Sequence, residues 1–131
     1  MIRGVRGATT AEMNTPESIL AATHELLVAL IEANNLQPDD IASVIFTTSP
    51  DLNTEYPAVA ARALGWKDVA LLCTHEMNVP QGLPRCVRIL MHWNTNLSAD
   101  QVRHVYLRQT VSLRPDRAPV NGQESITWRP E

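Results

Sequence analysis

The sequence predicts one domain of the α/β or α+β class, a mixed sheet of about five strands carrying one long and one short helix. Three observations lead there. Short apolar or alternating segments recur between turn residues, at 2–10, 41–48, 69–73, 86–93 and 103–107. One stretch beginning at Pro16 has apolar residues at three- and four-residue spacing, and one alanine-rich stretch after Pro57 ends at Gly65. At 131 residues the chain is long enough for a core without disulfide or metal support.

Residues 2–10, I-R-G-V-R-G-A-T-T, alternate as a first strand, with Arg6 near its end between Gly4 and Gly7. Those glycines permit close approach of a backbone or a ligand. By pattern alone, Arg6 reads equally well as a solvated arginine at a strand end.

Thr15 is the expected N-cap of the long helix, with Pro16 at its first position and Glu17 near its positive end. Ile19, Leu20, Thr23, Leu26, Leu27, Leu30 and Ile31 form its apolar stripe, and His24 lies opposite much of it. Asn34 and Asn35 end the helix, and Pro38 prevents its resumption.

The second strand, 41–48, carries Val44, Ile45 and Phe46 in a continuous run, the pattern of a strand buried on both faces. Ser49, Pro50 and Asp51 break it, and Tyr56 and Pro57 open the short helix, from which Arg62 projects. The third strand, 69–73, leads into Cys73, His75 and Glu76 within four positions. Gln81, Gly82 and Pro84 turn the chain into the fourth strand, where Arg88 stands between Val87 and Ile89. A charge so placed is costly to bury without a partner or ligand.

A helical turn begins at Ser98, Ala99 and Asp100, a fifth strand at 103–107 carries Tyr106, and 111–114 is a short apolar piece. Beyond Pro115 the chain is rich in proline and polar residues without periodicity. It divides into a domain, 1–116, and a flexible C-terminal tail, 117–131, able to close over a site. One long helix cannot cover both faces of such a sheet, so a homo-oligomer is expected to bury the other.

Composition narrows the function. A net charge of −3 and a pI near 5.8 argue against nucleic acid. Ten of the eleven basic residues are arginine, the side chain suited to bidentate recognition of carboxylates. Cys73 and Cys86 form no paired motif and read as reduced thiols of a cytoplasmic protein. The longest apolar run, 26–31, is far below the roughly twenty residues of a membrane span. The first residues lack the apolar core of a signal peptide.

Cys73 and His75 could pair as thiol and base, but neighbours two apart on a strand lie about 7 Å apart at the backbone. A metal site from Cys73, His75, Glu76 and His92 lacks helical His-x-x-x-His or paired-Cys spacing. What remains is a set of arginines with one thiol, one carboxylate and one tyrosine, suited to holding a small polyanion.

Several segments together resemble one family. I-R-G-V-R-G-A-T-T at 2–10, S-P-D-L at 49–52, Y-P-A at 56–58, C-T-H-E-M at 73–77, R-C-V-R-I-L-M at 85–91, and R-H-V-Y-L with V-S-L-R-P-D look like the monofunctional, AroH-type chorismate mutases. The resemblance runs from the first residue to about Asp116. It implies a homotrimer, a trimeric pseudo-α/β barrel with active sites at the subunit interfaces, and rearrangement of chorismate to prephenate without cofactor or metal.

Carried over by motif, Arg88 is implied to contact the ether oxygen and the enolpyruvyl carboxylate, and Arg6, aided by Tyr106, the same carboxylate. Glu76 and Cys73 are implied to meet the ring hydroxyl, with Leu72, Thr74 and His75 lining the pocket. Tyr56 and Arg62 are implied from the adjacent subunit, and Leu113 and Arg114 at the mouth. Tyr56 stands where the family often has phenylalanine, and Val59 where it can have lysine. Without the resemblance, a regulatory module that binds a dicarboxylate without turning it over accounts for the same arginines.

Overall fold

A computed structural model describes residues 1–113. Arg114 and the tail at 117–131 lie outside the described residues. Five strands, β1 (Ile2–Thr10), β2 (Ile41–Thr48), β3 (Ala70–His75), β4 (Cys86–Asn94) and β5 (Val105–Tyr106), form one mixed sheet in the order β3-β2-β4-β1-β5. The helices are α1 (Pro16–Asn34) and α2 (Ala58–Ala63). β4 runs antiparallel to both β1 and β2, while β2–β3 and β1–β5 are parallel pairs.

Local chemistry sets the helix limits as expected. The Thr15 hydroxyl accepts the Ser18 N–H at 3.1 Å, satisfying one of the first-turn donors. Asn35 takes the left-handed conformation (φ 52°) at the other end, which asparagine tolerates better than most residues. Gly65, at φ 92°, follows α2 where a side chain would be strained.

The core lies between α1, α2 and one sheet face. Ile19, Leu26, Leu27 and Leu30 of α1 are fully buried, as are Val5, Val44, Phe46, Val87 and Met91 of the sheet. Each such side chain contributes about 1.5–3 kcal/mol of burial. Gly7 lets α1 lie close: a Cβ there would stand 2.9 Å from Leu30 Cδ1 and 3.0 Å from Leu26 Cδ1. His24 is exposed.

Three expectations change. β2 is not buried on both faces in the single chain: Val44, Phe46 and Thr48 are buried, while Ser43, Ile45 and Thr47 are half-buried. Among the described residues the helices cover only one side of the sheet, so an apolar run does not by itself mean two covered faces. β3 runs on to His75 because the parallel ladder continues through Thr47–Thr74 and Thr48–His75. β5 shrinks to two residues, since the flanking chain bonds elsewhere. Arg103 N–H goes to Asn34 Oδ1 at 2.9 Å, and the His104 ring accepts the Arg6 N–H at 2.9 Å.

The uncovered face carries Ile2, Leu72 and Leu90 exposed to solvent. Among the described residues no helix is long and apolar enough to cross a membrane.

Candidate active site

The strand pleat decides which side chains meet. On β4, Val87, Ile89 and Met91 point into the core, which sends Arg88 to the uncovered face. Its cross-strand partners are Ala8 of β1 and Thr47 of β2, and Arg6 lies opposite Leu90 one step along the same face. Tyr106 pairs with Ala8 on the other side of β1 and is buried. Together Arg6, Thr47, Glu76, Arg88, Tyr106 and Leu113 border a hollow of about 490 Å³.

Glu76 is fixed just past the end of β3 by its own backbone, whose N–H donates to Thr48 O at 2.7 Å. One carboxylate oxygen accepts the Thr47 hydroxyl at 3.3 Å and lies 3.6 Å from Arg88 Nε. The other accepts the Met77 N–H at 3.1 Å. Arg88 is 42 % exposed and Glu76 40 %, so both charges keep access to the hollow. Yet Arg88 Nε itself is shielded from solvent and makes no hydrogen bond. The exposed remainder of the guanidinium is what an anionic ligand in the hollow can reach.

Cys86, two residues before Arg88 on the same face, is buried behind it and borders a second depression of about 440 Å³ that shares Thr47, Glu76 and Arg88. Burial pushes the Cys86 thiol up from its ordinary 9.0, although the adjacent Arg88 guanidinium pulls in the opposite direction. The sequence reading did not place Cys86 here; the one signal that could have is its two-residue offset from Arg88. No such signal marked Thr47, which reaches the site through the β2–β4 register.

The rest of the C-T-H-E stretch does not join the arginines within one chain. Cys73 packs toward the helix side, beside the Ala58 N–H and Arg62. His75 Nε2 lies 3.3 Å from Leu52 O. With Tyr56 and Thr74 these residues border a separate hollow of about 370 Å³ that shares no residue with the 490 Å³ one. Leu72, across from Ile45, lies 60 % exposed on the uncovered face of the edge strand. Burial pushes the Cys73 thiol up from 9.0, partly offset by the Ala58 N–H and by Arg62. It is therefore a neutral thiol near pH 7, which does not suit a nucleophile.

Comparison with known proteins gives a consistent result. The chorismate mutase type I family model matches residues 2–117. The chain is 52 % identical over 117 residues to the chorismate mutase AroH of Thermus thermophilus, covering 88 % of this chain and 96 % of that protein. It is 47 % identical over 125 residues to the chorismate mutase AroH of Bacillus subtilis, covering 95 % and 98 %. A solved chorismate mutase from Clostridium thermocellum superposes with a TM-score of 0.81 at 44 % identity, covering 82 % of this chain and 96 % of that one. Sequence over nearly its whole length and fold thus agree, and the chain belongs to the type I chorismate mutase family.

Proposed function

We propose that this protein is an isomerase that rearranges chorismate to prephenate, the step leading toward phenylalanine and tyrosine. Membership of the family supports the activity. The observation that carries it onto particular residues is the hollow on the uncovered face, where Arg6 and Arg88 meet Glu76 and Tyr106.

The reaction is intramolecular: the ether C–O bond breaks as a C–C bond forms within one molecule. No covalent intermediate and no cofactor is needed. The protein's task is to hold a flexible dicarboxylate in its folded conformer and to favour the charge distribution of the transition state over that of the substrate. Negative charge grows on the ether oxygen as the bond stretches, so a fixed cation aimed at that atom stabilises the transition state selectively.

Arg88 takes that role, its partly exposed guanidinium serving the ether oxygen and the enolpyruvyl carboxylate. Arg6 and Tyr106 hold the same carboxylate, and Glu76 orients the ring hydroxyl. Leu113 borders the hollow; the role that the family resemblance implies for Arg114 falls outside the described residues.

The active unit is a homotrimer with sites between subunits. Two observations support this reading. The hollow opens on a sheet face that leaves Leu72 and Leu90 in water. Tyr56, Cys73, Thr74 and His75 form a second lined surface in the same chain, with Arg62 beside Cys73. A neighbouring copy would bring that surface against the first and add Arg62 as a further cation for the dicarboxylate, with Cys73 near the ring hydroxyl. The two free cysteines fit a cytoplasmic location.

The test is to mix purified protein with chorismate, follow loss of the substrate's ultraviolet absorbance, and identify the product after acid treatment. Conversion of many equivalents to prephenate is expected. Saturable binding with chorismate recovered unchanged would replace the mutase by a dicarboxylate-binding module.

A further inference from the structure

The turn that brings Leu113 to the hollow, Arg108–Leu113, begins with a strained residue. Arg108 adopts φ 53°, in the left-handed region that a long side chain occupies reluctantly. On the inner side, backbone and a buried hydroxyl hold this corner. Leu107 N–H donates to Ala8 O at 2.9 Å, and the Thr110 hydroxyl lies 2.9 Å from Ala8 O and 2.6 Å from Leu107 O. On the outer side, Arg108 Nε and Nη2 each donate at 3.0 Å to the two oxygens of Glu25 on α1. This two-pronged geometry fixes direction as well as distance. Ser112, farther along, bonds locally to Gln109 O.

We infer that the Glu25–Arg108 pair is a positioning latch, tying the turn to α1 so that Leu113 keeps its place beside Arg6 and Tyr106. The inference rests on the hollow being the chorismate site. Neither member of the pair borders that hollow; Arg108 and Glu25 line a different depression, against α1. The pair therefore acts on substrate affinity through Leu113, without touching substrate. Arg108 and Glu25 are 45 % and 44 % exposed, so the latch is modest in strength and sensitive to salt.

The experiment measures kcat and KM for chorismate in Glu25→Gln, Arg108→Ala, Arg108→Lys and the double variant Glu25→Gln/Arg108→Ala. At low ionic strength each single loss raises KM about threefold to fivefold, the size an exposed pair can deliver, with kcat within about twofold. The double variant is no worse than the poorer single, because the two residues act as one unit. Arg108→Lys recovers part of the affinity. The gap to wild type narrows at about 1 M salt, where screening acts over about 3 Å.

Unchanged KM in both single variants, or fully additive effects in the double, overturns the latch. If wild-type protein does not turn over chorismate, the functional reading fails and the latch is judged by amide hydrogen exchange. Faster exchange at 109–113 in Glu25→Gln upholds it, and unaltered exchange overturns it.

Discussion

If Arg88 meets the ether oxygen as proposed, replacing it by alanine should separate catalysis from stability. A donor aimed at developing charge in a closed site is worth about 3–4 kcal/mol, or two to three orders of magnitude in kcat. Its structural value is small by contrast. The guanidinium is 42 % exposed, its contact to Glu76 is a 3.6 Å approach, and its Nε has no hydrogen bond to lose. Partly exposed ion pairs contribute about 0–1 kcal/mol, and Glu76 keeps its bonds to Thr47 and Met77. Arg88→Ala is therefore expected to lower kcat at least about 100-fold while shifting Tm by no more than a few degrees. The assay is the initial rate of chorismate absorbance loss at saturating substrate, paired with a thermal melt followed by circular dichroism. Arg88→Lys, which keeps the charge as a single point donor, should recover only part of the loss. A kcat within tenfold of wild type in folded Arg88→Ala would refute the assignment of the ether-oxygen contact, and a large fall in Tm would show that the side chain is structural.

Three further outcomes follow from the same structure. Cys73→Ser should keep much of the rate, losing about 2–10-fold for one neutral hydrogen bond, and iodoacetamide should modify wild-type Cys73 slowly at pH 7 because burial disfavours its thiolate; abolished turnover would point to covalent chemistry. Gly7→Ala places a methyl 2.9 Å from Leu30 Cδ1 and 3.0 Å from Leu26 Cδ1, both in the fully buried core, and should lower unfolding free energy in urea by about 1–3 kcal/mol. Asp51 has its carboxyl held below the ordinary 3.8: burial alone would raise it, but the Ser49 hydroxyl and the Arg85 N–H outweigh that effect. A depressed folded-state pKa gives stability that is complete above 3.8 and fades as pH falls through the lower folded-state value. Asp51→Asn should thus lower the urea midpoint at neutral pH, with the gap to wild type closing in acid; a gap that stays constant throughout would show that the carboxylate's charge is not what holds Arg85.

Local signals determined the elements of this chain, because their causes lie within a few residues. Thr15 and Pro16 started α1, Asn35 ended it, Gly65 closed α2, and Ser98 capped the turn at Ala99–Gln101, each through a bond or a backbone angle available to neighbours in sequence. Arg88 between two apolar residues was also legible as a charge needing a partner. Partnership across the sheet was not legible, because it depends on register. The antiparallel pairing of β4 with β1 and β2 puts Ala8 and Thr47 beside Arg88 and Arg6 one step along, while the parallel β1–β5 and β2–β3 pairs bring Tyr106 and Glu76 to the same hollow. The same pleat separates residues that the sequence lists side by side. Cys73 turns to the helices, Leu72 to the open face, and Glu76, held by Thr48 O beyond the last rung of β3, to the arginines. Composition along a strand says what kinds of side chain are available. Alternation along a strand says which face each one occupies, but what stands across from it is decided by pairing with strands distant in sequence.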